Sequence, residues 1–153
     1  MIYWDTSCVL KLYAEEEDSA TYLDLASASE GPLISSEVLL VEVYYALQQK
    51  ELRNEIKRGA TEPILRKFRD DVVRARLSLL PFGADVAARA VDAARSCYGS
   101  NPPIMLRSLD GAHLATALVA GIRDIATTDE RMRSAAVLLG LRVVPLISHR
   151  PSA

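Results

Sequence analysis

Four carboxylates in this sequence carry the argument about chemistry: Asp5, Glu42, Asp110 and Asp129. Asp5 follows the apolar run Ile2-Tyr3-Trp4, and Asp129 follows Ile125-Ala126-Thr127-Thr128. Each is an acid at the end of a strand-like segment, where ligands of open parallel sheets gather. Each would equally serve as the N-cap of a following helix. Asp110 opens a helix of small and apolar residues, where the helix dipole favours an anion by about 0.3–1 kcal/mol. Its face, however, continues inward through His113, Leu114 and Ala117. Glu42 interrupts the apolar run from Val38 to Leu47, and its neighbours at helical spacing are Val38, Leu39, Tyr45 and Ala46. An unpaired carboxylate buried there would cost several kcal/mol or take up a proton. Glu42 therefore calls for a cationic partner, unless it is an exposed residue on a partly wet, tyrosine-rich face. Asp5, Asp110 and Asp129 each have a local explanation, so the signal is the joint pattern. Gathered at one sheet edge, four carboxylates would raise each other's pKa values. They would be tolerated as anions only around divalent cations. An all-oxygen donor set selects Mg²⁺ or Mn²⁺, and two such ions suit in-line displacement at phosphorus.

Other chemistries lack their residues. The glycines form neither a G-x-G-x-x-G fingerprint nor a Walker loop, and no G-x-S-x-G elbow is present. His113 and His149 are the only histidines, too few for a three-histidine zinc site. Asp5-Thr6-Ser7 lacks the second aspartate of a D-x-D phosphatase signature. Cys8 and Cys97 make no metal or redox pair, which predicts a reduced, cytoplasmic protein. No apolar run reaches the roughly 18 residues of a membrane span. The opening Met1-Ile2-Tyr3-Trp4-Asp5 has no basic region, so a secretory leader is not expected.

The elements that must position these acids follow from the length and pattern of the chain. At 153 residues, half of them hydrophobic, it is expected to form one domain, residues 1–153, with a sizeable core. Short apolar strands alternate with longer helices: a strand at Ile2–Trp4, a helix through Leu25, a strand at Leu33-Ile34, and a helix capped by Ser35 or Ser36 and running to about Gln49. Further on come an alanine-rich helix over Ala84–Ser96, a loop from Tyr98 to Arg107, and a helix capped by Ser108 and ending near Gly121. A strand over Asp124–Thr128, a helix over Glu130–Leu139 and a strand over Arg142–Leu146 close the chain. This alternation predicts an α/β fold with a mainly parallel sheet.

The formal net charge of −2 conceals an asymmetry. Residues 1–49 carry nine acids and one base, whereas residues 50–76 carry nine bases and five acids. The basic stretch 50–76 reads as a helical segment, either a solvated face or an arm contacting phosphates.

The four acid-bearing segments resemble those of PIN-domain ribonucleases, most closely the VapC-type toxins of bacterial and archaeal toxin–antitoxin pairs. Ile2 through Tyr13 is similar to that family's first-acid motif. Ser35 through Leu47 resembles its glutamate helix, Leu109–Ala117 its third-acid helix, and Ala126–Met132 its fourth-acid segment. The motifs lie in the family's order and span nearly the whole chain. The resemblance implies a three-layer α/β/α PIN fold and Mg²⁺-dependent cleavage of RNA. It also implies a homodimer and a small VapB-type antitoxin that blocks the site. Asp5 and Asp110 are then metal ligands, while Glu42 and Asp129 complete the acidic pocket. Thr6, Ser7, Thr127 and Thr128 would orient water or phosphate. The alternatives are a PIN-like module that binds RNA or protein without cutting, and a DNA-directed nuclease of the wider fold. His113 reads more readily as a satisfied core histidine and Cys8 as a small buried hydrophobe. Trp4 and the Tyr44-Tyr45 pair read as core or dimer packing rather than base-stacking platforms.

Overall fold

A computed structural model describes residues 1–146; His149 lies outside them. Five parallel strands form one sheet: β1 (Ile2–Trp4), β2 (Leu33–Ser36), β3 (Leu77–Leu80), β4 (Asp124–Ala126) and β5 (Arg142–Val144). Their order is β3-β2-β1-β4-β5, so β1 is central and pairs with β2 on one side and β4 on the other. The β-branched and aromatic residues of β1 suit a strand covered on both faces. Tyr3 points into one core with Ile125 and Val143, whereas Trp4 points into the other with Ala126.

Helices cover both faces. On the Trp4 face lie α1 (Thr6–Leu10), α2 (Ser19–Ser27), α3 (Leu39–Leu52) and α4 (Thr61–Val73), contributing Val9, Tyr22, Val43, Leu47, Leu65 and Phe68. On the Tyr3 face lie α5 (Ala84–Tyr98), α6 (Ser108–Val119) and α7 (Glu130–Leu138), contributing Cys97, Leu114, Ala117, Met132 and Ala135. The result is the three-layer α/β/α architecture, with every strand pair parallel rather than most of them. Every residue from Asp110 to Ala117 is buried, which the small side chains of α6 make possible against α5. Gly140 closes α7 at a φ of 82°, the left-handed conformation that favours glycine.

Several local expectations are corrected. Ser35 and Ser36 belong to β2, and α3 begins three residues later with no side-chain cap. The Ser35 hydroxyl instead donates to the Trp4 carbonyl at 2.7 Å, tying β2 to β1. Ser108 is the first residue of α6, whose N-cap position is Arg107. The helix expected to end at Ser96 runs on to Tyr98. β4 is shorter than its apolar run because residues 127–129 leave the sheet to enter the site, and β5 ends at Val144 before Pro145, which has no N–H to give the ladder. The stretch 50–76 is not one helix: α3 ends at Leu52, a turn with Asn54 at positive φ follows, and α4 starts at Thr61. Trp4 is core, as expected, and Tyr44 and Tyr45 are exposed, which leaves only the dimer-packing reading for that pair. Cys8 and Cys97 are both free and buried. No helix among the described residues is long and apolar enough to cross a membrane.

Candidate active site

All four acids line one cavity of about 350 Å³ at the carboxyl ends of β1 and β4. Chain order reverses between these two strands, since β2 and β3 extend the sheet one way from β1 and β4 and β5 the other. That is the switch point where open α/β sheets place their ligands.

Asp5 follows β1 and caps α1, its Oδ1 accepting from the Cys8 amide at 2.9 Å. The cap is present, and it leaves room for a role in the cavity, because a carboxylate has two oxygens. Oδ2 accepts from the Thr127 hydroxyl at 2.6 Å, and the Ser7 hydroxyl lies 2.8 and 3.0 Å from the two oxygens. Ser7 in turn accepts from the Thr128 hydroxyl at 2.8 Å, and Thr127 Oγ1 accepts from the Asp129 amide at 3.2 Å. A web of hydroxyls thus welds the end of β1 to the segment after β4. Burial pushes the Asp5 carboxyl above the ordinary carboxylate range, an effect the Thr127 and Cys8 hydrogen bonds only partly offset.

Glu42, in the first turn of α3, is half-buried and reaches across to α6. Its Oε2 accepts from the Thr6 hydroxyl and lies 2.6 Å from His113 Nε2. His113 is 2 % exposed, and its Nδ1 is 2.6 Å from the Tyr3 hydroxyl. Burial holds the Tyr3 proton far above its ordinary range, so the phenol donates to Nδ1. This leaves the Nε2 hydrogen for Glu42. Burial alone would raise the Glu42 carboxyl. The hydrogen bond from His113, with that from Thr6, outweighs it and holds the group below its usual range. The partner that Glu42 calls for is thus an imidazole backed by a buried tyrosine.

Asp110 and Asp129 share a different partner. Arg107 Nε donates to Asp110 Oδ2 at 2.8 Å, and Nη2 lies 3.3 Å from Oδ1. The same Nη2 donates to Asp129 Oδ2 at 2.8 Å. Asp129 Oδ1 caps α7, accepting from the Arg131 and Met132 amides at 3.0 Å each. Here too one oxygen serves the helix and the other faces the cavity.

The four hydroxyls expected to orient water or phosphate hold the acids and each other. Of the nine bases in residues 50–76, only Lys50 lines the cavity, and its ammonium is engaged by Glu16 and Glu55. Arg66, Lys67 and Arg69 on α4 are exposed, as a solvated face requires. Beside the cavity runs a shallow groove walled by Val41, Tyr45 and Leu109, which shares Thr6, Glu42 and Arg107 with the site.

Sequence reasoning passed over Arg107 and left His113 to the core. The spacing of 110 and 113 places Asp110 and His113 on one helical face, with Arg107 at the N-cap just before it, and that was the available signal. Among the described residues, no three acidic, histidine or cysteine side chains converge closely enough to grip an ion as they stand. The donor chemistry nevertheless suits a hard divalent cation, since all four acids offer oxygens to one cavity.

A PIN domain family model matches residues 2–138. Ribonuclease VapC46 of Mycobacterium tuberculosis (strain ATCC 25618 / H37Rv) is 35% identical over 145 residues, covering 94% of this chain and 95% of that protein. The chain belongs to the VapC branch of the PIN-domain family. The fold extends further than sequence likeness. A toxin–antitoxin complex from Klebsiella pneumoniae matches with a TM-score of 0.65 at 15% identity, over 95% of this chain and 97% of its own. M. tuberculosis VapC20, a Sarcin-Ricin loop cleaving toxin, matches with a TM-score of 0.65 at 17% identity, over 88% and 95%.

Proposed function

We propose that this VapC-family chain is an endoribonuclease of the toxin kind, hydrolysing RNA phosphodiester bonds at the four-acid cavity with the help of Mg²⁺, for which Mn²⁺ would substitute. The observation that carries this reading is the convergence of Asp5, Glu42, Asp110 and Asp129, from four separate segments, on one cavity. The 35% identity to a ribonuclease across nearly the full length supports it.

Asp5 and Asp110 would hold the metal, with Glu42 and Asp129 completing the negative field. When bound, such an ion supplies the positive charge against which a water can lose its proton and a phosphodiester oxygen can gather charge. The chain's own residues supply order. Ser7 and Thr127 fix the rotamer of Asp5, and the Tyr3–His113 pair fixes that of Glu42. Both acids therefore meet an incoming substrate already oriented, with no reorganisation left to the moment of reaction. Glu42, with one oxygen held by His113 and Thr6, keeps a second free to accept a proton from an attacking water.

A VapB-type antitoxin is the partner this reading carries, and the groove of Val41, Tyr45 and Leu109 leads to the site it would have to block. A homodimer in a cytoplasmic setting completes the proposal. The test is cleavage of RNA by antitoxin-free protein with Mg²⁺ or Mn²⁺. Activity should vanish with EDTA and in Asp5→Asn and Asp110→Asn. Equal cleavage by wild type and both variants would overturn the assignment. Light scattering on the purified chain tests the dimer.

A further inference from the structure

Arg107 stands out among the cations that line the cavity. Lys11 is engaged by Glu16 and Asp18, and Lys50 by Glu16 and Glu55, all outside the four-acid set. Arg107 alone among the described basic side chains bridges two of the site acids. Its guanidinium holds both oxygens of Asp110 and the cavity-facing oxygen of Asp129. Its side chain is nevertheless 56% exposed, so it can leave without carrying a buried charge through the core. It also borders the open groove beside the site.

We propose that Arg107 exchanges partners. In the ion-free protein it is the counter-charge of Asp110 and Asp129. In the loaded site it yields those oxygens and turns to the substrate phosphodiester. This rests on the metal-dependent reading above. The physical basis is competition: the oxygens Arg107 occupies are those a cation at Asp110 requires, and one guanidinium charge is weaker than a divalent one. The tether at the N-cap of α6 keeps the freed guanidinium at the cavity rim. Its planar fork there matches two phosphate oxygens in a way an ammonium cannot.

Two effects of opposite sign follow. Mn²⁺ alone, titrated into antitoxin-free protein and followed by loss of the free-ion electron paramagnetic resonance signal, should bind Arg107→Ala about three- to tenfold more tightly than wild type, the scale of a half-exposed ion pair. At saturating Mn²⁺, kcat/KM for RNA cleavage should fall about ten- to a hundredfold, the scale of a lost charge-assisted pair. Arg107→Lys, which keeps the charge and loses the fork, should bind Mn²⁺ about as wild type does and still cleave poorly. A merely structural arginine would weaken both properties together. Unchanged or weaker Mn²⁺ binding in Arg107→Ala overturns the exchange, as does unchanged cleavage at saturating Mn²⁺. If Arg107→Ala does not fold, Arg107→Lys cleaving RNA as well as wild type overturns it. Asp110→Asn separates the two readings. If it binds Mn²⁺ as well as wild type, the metal site itself is misassigned. If it loses Mn²⁺ while Arg107→Ala is unaltered, only the exchange fails.

Discussion

The cavity has two halves built on different principles. Asp5 and Glu42 are held by uncharged donors: the half-buried hydroxyls of Ser7 and Thr6, and the buried Thr127 hydroxyl and Tyr3-backed imidazole of His113. Asp110 and Asp129 are bridged by the half-exposed Arg107, with Arg131 3.7 Å from Asp129 Oδ2. The first half is fixed by the core, because its partners cannot move without disturbing the sheet or α6. The second half is fixed by an exchangeable charge. The contrast teaches that a cluster of carboxylates can be prearranged in two ways within one pocket. One part is locked by neutral hydrogen bonds that survive ligand entry, and the other is kept in place by a cation that ligand entry replaces.

The most drastic way to break the comparison is to remove an acid from each half. Asp5→Asn and Asp110→Asn should each lower RNA cleavage by about a thousandfold or more, comparable to losses when a group stabilising transition-state charge is removed. Single-turnover cleavage with Mg²⁺ checks this. A variant retaining a tenth of wild-type activity would exclude its acid from the chemistry. The next effect is confined to the locked half. His113→Ala should cost about 10–100-fold in kcat, the usual scale for losing a group that orients a functional carboxylate or ligand. Tyr3→Phe should cost less, because the imidazole remains and loses only what fixes its tautomer. If Tyr3→Phe proves the more damaging of the two, the imidazole is not the group that orients Glu42.

A smaller effect separates folding from chemistry. Asp129→Ala removes both the cap of α7 and the cavity-facing oxygen, so it should destabilise the protein by about 1 kcal/mol. Asp129→Asn keeps a capping oxygen and should melt near wild type while cleaving as poorly as Asp129→Ala. Thermal melts beside activity assays decide between these outcomes. The smallest effect is read in EDTA. The Asp5 carboxyl is raised by burial, so its contribution favours the fold below its unfolded pKa and is lost as pH rises through its folded value. Glu42 is held low by His113 and Thr6 against burial, so its contribution is present above its unfolded pKa and is lost as pH falls through its folded value. At neutral pH, Asp5→Asn should raise the melting temperature and Glu42→Gln lower it, each by about 2–4 °C per kcal/mol. Both differences should shrink toward pH 4. Shifts of the same sign would contradict the locked-half description.

What could be read from the chain alone divides along similar lines. Asp5 and Asp129 were legible because strand end, cap and site all depend on adjacent residues. Glu42 was legible because an acid inside an apolar run needs a partner, although its neighbour Tyr45 is 64% exposed rather than packed. The identity of that partner was hidden, since His113 lies 71 residues away from Glu42 and 110 from Tyr3. No local rule brings α3, α6 and β1 together at those atoms. Arg107 was passed over because it ends an irregular proline-rich stretch that reads as a connector. The basic stretch left two readings open, a solvated face or an arm contacting phosphates; α4 turns Leu65 and Phe68 inward and leaves Arg66, Lys67 and Arg69 exposed and outside the cavity lining.

The central place of β1 has a consequence for synthesis on the ribosome. The first acid emerges at residue 5, yet the strand that flanks it on the site side is residues 124–126, and the fourth acid follows at 129. A nascent or prematurely released chain ending short of that point carries the first acid with neither Thr127 to orient it nor Asp129 to complete the pocket. Translation must pass residue 129 before the four acids can share one cavity, so shorter products lack the complete pocket by topology alone.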